Sequence, residues 1–188
     1  MAGLVIKPRS RIFHGHDWVY ATEVQKSFGD PQPGAVITLK DFRDRPLGTA
    51  IYNPTSQIVA RRISRRKQDL DAEFFDRRLR RALVVREAMA FPEPVYRLVW
   101  SEADGLPGVI IDRYGDAFVL QTLTLAMDLR RDLIVASLLG IFGDITVIER
   151  NDSSIRKAEG LESRTGLLAG TWSGPITLTI NGLNQEID

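Results

Sequence analysis

Cysteine is absent from this 188-residue chain, which rules out disulfides, thiolate metal sites and a cysteine nucleophile within it. Histidine is nearly as scarce, with His14 and His16 the only two. Beside Asp17 they form a weak donor set, because a metal site needs three or four ligands, and no metal is expected. No stretch approaches the roughly 20 apolar residues that span a bilayer. The N-terminal Met1-Ala2-Gly3-Leu4-Val5-Ile6-Lys7-Pro8 also lacks the apolar core of a signal peptide, so a cytoplasmic location is the default expectation. Neither GxGxxG nor GxxxxGK[ST] occurs, which removes support for dinucleotide or P-loop phosphate binding. Gly105-Leu106-Pro107-Gly108 is too short and proline-broken to cradle a phosphate and reads as a turn. Glu102 and Asp104, just before it, read as surface loop acids. No catalytic or cofactor-binding residue is therefore assigned.

What the chain does have is charge divided by position. Residues 1–90 hold 17 Lys/Arg against 10 Asp/Glu, whereas residues 91–188 hold 8 against 14. The basic half ends in two dense clusters, Arg61, Arg62, Arg65, Arg66 and Lys67, then Arg77, Arg78, Arg80 and Arg81. A field of one sign attracts polyanions, and nucleic acid is the usual one. Arginine supplies 20 of the 25 basic residues, and its planar fork grips phosphate at two points. The competing reading is compositional bias with solvated charged faces.

The pattern of elements points to two domains joined by a helix. Residues 1–68 alternate short apolar runs (Leu4–Ile6, Trp18–Tyr20, Ala35–Leu39, Leu47–Tyr52, Gln57–Ile63) with turn signals, which favours a small β-barrel that closes its own edges. Residues 69–94 read as a connecting basic helix. Asp69 or Asp71 caps it, Ala72, Phe75, Leu79, Ala82 and Met89 share the buried face, and Arg77, Arg80 and Arg81 point outward. Pro92 and Pro94 end it. Residues 95–188 read as a small α+β domain in the order strand-strand-strand, helix, strand-strand. Strands are predicted at Tyr96–Ser101, Val109–Asp112, Ala117–Leu123, Ile145–Glu149 and Ile176–Ile180. Arg113-Tyr114-Gly115-Asp116 is predicted to turn between two of them, and a helix over Met127–Leu139 is closed by Gly140 or Gly143. Asn181-Gly182 signals a hairpin with only Leu183–Asp188 to return, so the chain is expected to be cut there rather than finished.

Several segments together resemble the PUA-domain-containing bacterial 23S rRNA cytosine-5 methyltransferases, which use S-adenosylmethionine. They are Arg11-Ile12-Phe13-His14-Gly15-His16-Asp17-Trp18-Val19-Tyr20, with Asp17 where that family usually has proline, and Gly48-Thr49-Ala50-Ile51-Tyr52-Asn53-Pro54-Thr55-Ser56. Glu102–Gly108 with Asp112–Asp116, and Glu149-Arg150-Asn151-Asp152 with Arg156-Lys157 and Glu159-Gly160-Leu161, complete the set. The resemblance implies a PUA-like RNA-binding barrel followed by a central α+β domain of the strand-strand-helix-strand-strand kind. It also implies a Rossmann-like catalytic domain, absent from this chain, that binds S-adenosylmethionine and supplies a cysteine nucleophile. The expected reading is thus the RNA-targeting half of an rRNA methyltransferase-like protein, inactive by itself. Phosphate contacts are expected from Arg61, Arg62, Arg65, Arg66, Lys67, Arg77, Arg80 and Arg81, with Gly15, His16 and Trp18 shaping the RNA-facing edge. Arg150 and Arg156 are further local candidates. The alternative is a stand-alone RNA-binding adaptor, or a homodimerisation module built on the acidic half.

Overall fold

The computed structural model describes residues 2–172, 174–180 and 183–187. In chain order the elements are β1 (Gly3–Ile6), β2 (Trp18–Val19), β3 (Val24–Phe28), β4 (Val36–Asp41), β5 (Pro46–Tyr52), β6 (Ala60–Ser64), α1 (Ala72–Ala88), β7 (Val95–Trp100), β8 (Val109–Tyr114), β9 (Ala117–Thr122), α2 (Leu125–Asp128), α3 (Arg131–Phe142), β10 (Thr146–Asn151), α4 (Ile155–Ala158), β11 (Arg164–Ala169), β12 (Ile176–Ile180) and β13 (Leu183–Ile187). The fold is mainly β with added helices. The chain divides into two units, one of Met1–Leu70 with Thr124–Arg130 and Ser154–Glu162, the other of Asp71–Leu123, Arg131–Ser153 and Ser163–Asp188. No helix among the described residues is long and apolar enough to cross a membrane.

The first unit is built on a six-stranded sheet in the order β2-β6-β5-β4-β1-β3. Strict alternation along β4 buries Ile37 and Leu39 on one face, as a half-buried strand requires. With Leu4, Ile6, Ile12, Val19, Ala50, Val59 and Ala60 they form the core. Truncating Leu39 to alanine is expected to cost about 2–5 kcal/mol. Gly48 sits in β5 at φ +124°, where a Cβ would lie 2.1 Å from the Ser64 carbonyl oxygen, so only glycine lets β5 and β6 close there.

The second unit holds a five-stranded sheet, β11-β10-β9-β8-β7, antiparallel except between β9 and β10. A parallel neighbour needs a crossover, and α3 supplies it. Helix α1 packs on α3 and buries Phe74, Phe75, Leu79 and Ala82. The Asp71 carboxylate caps it by accepting from Phe74 N at 2.9 Å. Ala72 and Met89, expected on the buried face, are exposed. Ala72 opens the first turn, and Met89 lies past the last one, where Ala90 at φ +51° turns the chain off the helix axis.

The single helix expected over Met127–Leu139 is instead two. Asp128 is drawn onto Arg156 at 2.9 Å, and Arg130 Nη1 donates to Gly34 O at 3.1 Å and to Ala126 O at 2.8 Å, so tertiary bonds end α2. Gly140 is helical, and Gly143 at φ +76° follows the end of α3. The predicted turn at Arg113–Asp116 joins β8 to β9 around Gly115 at φ +64°. The three strands expected before the helix are β7, β8 and β9, one more than the order implied by the resemblance, and β11 is a strand that the sequence pattern does not announce. The Asn181-Gly182 turn lies outside the described residues, which place β12 antiparallel to β13.

Candidate nucleic-acid interface

The site expected from sequence falls partly in each unit, and within the first it gathers on β2 and β6. Trp18 is the register partner of Arg61 in this antiparallel pair. The Arg61 guanidinium lies 5.5 Å from the centre of the exposed Trp18 ring, and its Nη2 is 3.5 Å from Glu159 Oε1. Gly15 and His16 are exposed just before β2, with Gly15 at φ +91° closing a short 3-10 turn over Arg11–His14. A strand end, a tight turn and a stacked Arg–Trp pair thus share one edge of the sheet.

Arg62 does not point outward. Its guanidinium is buried and binds Asp17 Oδ1 through Nε at 2.7 Å and Nη2 at 2.6 Å, while its backbone N donates to Asp17 O at 2.7 Å. Its neighbour Arg61 is only partly buried, whereas Ile63 on its other side is buried, so β6 does not alternate strictly here. Asp17, where the resembled family has proline, is therefore the anchor that turns Arg62 inward. Arg65, Arg66 and Lys67 follow β6, are exposed, and have no carboxylate partner among the described residues. Thr49 Oγ1 donates to the Arg66 carbonyl at 2.9 Å, and the Arg66 N–H donates to Ser64 Oγ at 3.0 Å, so the backbone of this stretch is held while its side chains are not.

In the second unit, Arg77, Arg80 and Arg81 are exposed on α1. Arg77 pairs with Glu73 at 3.3 Å and Arg80 with Asp76 at 2.9 Å, both i,i+4 contacts that are weak in water. The hydrogen bond and charge of Asp76 raise the Arg80 pKa further above its ordinary value. Arg78 is half-buried; burial, then Arg81 and Arg77, lower its pKa from the ordinary value.

Several cations and acids of the acidic half turn out to be structural. Arg156, a candidate contact by sequence, is buried on Asp128, and its Nε donates to Glu162 O at 3.0 Å. Arg150 is exposed beside Asp152 at 3.6 Å. Asp104, expected as a surface acid, is half-buried with its carboxylate largely covered, and accepts from Arg86 Nη2 and from Trp100 N, each at 2.6 Å. Glu149 accepts from Asn151 Nδ2 at 2.6 Å and from Arg164 Nη2 at 3.0 Å. A charge reads as surface by default, and only the fold reveals a partner many residues away.

Beside the Trp18–Arg61 pair, Ile51, Tyr52, Asn53, Ile58, Arg61, Thr124, Ala126 and Glu159 line a cleft with room for about one water molecule. Glu159 is buried there and accepts from Asn53 Nδ2 at 2.8 Å. An adenosyl cofactor does not fit this cleft. At the Gly105–Gly108 turn a Cβ on Gly105 would lie 2.8 Å from the Arg78 guanidinium.

Residues 7–65 match the family of PUA-like domains. This stretch is a PUA-like domain. The whole chain is 35% identical over 188 residues to the ribosomal RNA large subunit methyltransferase I of Vibrio vulnificus (strain CMCP6), a match that covers 98% of this chain and 47% of that protein. Against the protein of the same name from Pseudoalteromonas translucida (strain TAC 125) the identity is 37% over 177 residues, covering 92% and 45%. The chain thus spans about half the length of the curated relatives it matches. Among solved structures it resembles a Streptococcus mutans protein assigned as a SAM-dependent methyltransferase, with a TM-score of 0.79 at 21% identity over 99% of this chain and 48% of that one. At that identity the likeness speaks for the fold. The PUA-like match covers Gly15, His16, Trp18, Arg61, Arg62 and Arg65, and stops short of Arg66, Lys67 and the α1 cluster.

Proposed function

We propose that this chain is the RNA-binding, targeting part of an S-adenosylmethionine-dependent rRNA (cytosine-5) methyltransferase-like protein, with methyl transfer dependent on residues outside it. The observation that carries the reading is the coincidence of the PUA-like stretch, matched over 7–65, with exposed and carboxylate-free cations at Arg65, Arg66 and Lys67 beside the Trp18–Arg61 edge. Relatives named as rRNA methyltransferases at 35–37% identity support it. S-adenosylmethionine belongs to this proposal as the methyl donor of the whole protein, since the cleft beside Trp18–Arg61 does not fit it. A cytosine-attacking cysteine would also have to come from elsewhere, because the chain has none.

In this reading Arg65, Arg66, Lys67 and Arg81 contact phosphates directly, Arg77 and Arg80 exchange exposed carboxylates for them, and Arg61 holds Trp18 ready to stack. Arg62 shapes the edge rather than touching RNA. Salt titration of the affinity for a structured rRNA fragment tests this. Several phosphate contacts predict a steep linear fall of log K with log salt, with a slope of about 0.7–0.9 per contact. A flat response removes the electrostatic basis. Light scattering with and without RNA separates the targeting role from homodimerisation through the acidic half, which predicts dimers at the same concentration whether or not RNA is present.

A further inference from the structure

The first unit also carries an aromatic pair that the targeting reading leaves unused. Phe13, on the 3-10 turn Arg11–His14, and Phe42, in the β4–β5 turn, meet edge to face with ring centroids 6.4 Å apart. Mutual packing has not hidden them, for they are 38% and 41% exposed. Nor can either ring fold inward at low cost, because both turns are fixed. Asp41 is buried, and its carboxylate accepts from Arg43 N at 2.8 Å, Arg45 N at 2.9 Å and Arg45 Nε at 2.7 Å. Its N–H donates to Arg45 O at 2.8 Å, closing the turn. On the other side Phe13 N donates to Ser10 O at 3.1 Å, next to buried Ile12.

The charges around the rings have one sign left over. In the turn, Lys40 takes Asp44 at 3.0 Å and Arg45 takes Asp41 at 2.7 Å. Arg43 has no carboxylate partner among the described residues, is exposed, and holds its guanidinium 5.3 Å from the Phe42 centroid. Arg9 and His14 are exposed beside Phe13 in sequence. Two fixed, half-open rings flanked by an uncommitted guanidinium are what a base and its phosphate recognise together, the base by stacking and the phosphate by charge.

We infer that Phe13, Phe42 and Arg43 form a stacking site for an unpaired RNA base, separate from the Trp18–Arg61 edge. The base must be unpaired, because a duplex keeps its base faces stacked and offers side chains only its grooves. The inference rests on the RNA-targeting reading and adds to it the structural class of RNA, a loop or bulge rather than a continuous helix.

The test compares two RNAs of equal phosphate number, a hairpin with 2-aminopurine in its loop and a fully paired duplex, binding to the full chain. Phe42→Leu, and independently Phe13→Leu, should weaken hairpin binding about 5- to 150-fold, the range for loss of one stacked base. Both should abolish the 2-aminopurine fluorescence change and leave duplex affinity and the salt slope as in wild type. Phe42→Trp should retain hairpin binding, which separates stacking from a folding defect. If wild type and the phenylalanine variants bind the hairpin equally while Arg65→Glu/Arg66→Glu weakens both RNAs, the stacking site is overturned and the targeting reading stands. If wild type binds neither RNA, both fall. Conversion of a dimer to a monomer by Phe42→Leu, at unchanged RNA affinity, overturns the inference in favour of a second copy on this patch.

Discussion

The Asn53 side-chain amide donates to the Glu159 carboxylate at 2.8 Å and to its backbone carbonyl at 2.9 Å, joining positions 106 residues apart. Both residues are buried, so removing the amide leaves two acceptors without this donor. Asn53→Ala is expected to destabilise the protein by about 1–3 kcal/mol, read from the urea midpoint at unchanged m. A loss below about 0.5 kcal/mol would show that solvent replaces the amide.

Arg156 and Asp128 form a buried ion pair in the first unit. Deleting one partner strands the other charge, so Arg156→Met should cost about 3–5 kcal/mol. The double variant Arg156→Met/Asp128→Leu should recover most of that loss, because a matched apolar pair no longer has a charge to desolvate. Thermal denaturation of the two variants decides between a paired charge and a merely packed side chain.

Arg62 and Arg65–Arg66 should separate folding from binding. Arg62→Gln breaks the ion pair with Asp17 and should lower stability while leaving the salt dependence of RNA affinity as in wild type. Arg65→Glu/Arg66→Glu should do the reverse, with near-native melting and a salt slope smaller by about 0.7–0.9 for each phosphate that is no longer neutralised. Equal effects of the two variants on the slope would put Arg62 back among the phosphate-binding residues.

Asp41 gives the first unit a dependence on acid. Burial opposes its ionisation, but hydrogen bonds from Arg45 and Arg43 outweigh this and hold the carboxyl below the usual aspartate range. The stabilisation is therefore present above the unfolded pKa of about 3.9 and is lost as pH falls through the lower folded value. Wild type should lose stability between about pH 5 and pH 3 more steeply than Asp41→Asn. Parallel curves would show that the hydrogen bonds do not discriminate between the two protonation states.

Where a residue's surroundings are local, its place was legible in the sequence. Alternation from Ala35 to Leu39 marked β4, Asp71 marked the start of α1, and Gly115 marked the β8–β9 turn. Strand β11 was not legible, because Arg164 to Leu167 are all exposed and show no alternation to read. Nor was the break between α2 and α3, which depends on Arg130 reaching Gly34, 96 residues away. At the candidate interface the basic clusters and Trp18 could be read directly. The inward turn of Arg62 could not, since the aspartate that causes it lies 45 residues earlier. Phe42 and Arg43 did carry a signal, a large aromatic in a charged turn, but its meaning waits on the neighbouring Phe13.

The first unit is stitched from three stretches of chain, the last of them ending at Glu162. A ribosome making this protein releases all six strands of that sheet before it reaches Asn53's buried partner. At about 5–20 residues per second, the interval between Leu70 and Glu162 is on the order of 5–20 s, most of which passes before Arg156 and Glu159 are made. Until then Asn53 has neither of its Glu159 acceptors. The buried link between Asn53 and Glu159 therefore forms only after translation has passed Glu159, when much of the second unit has already been synthesised.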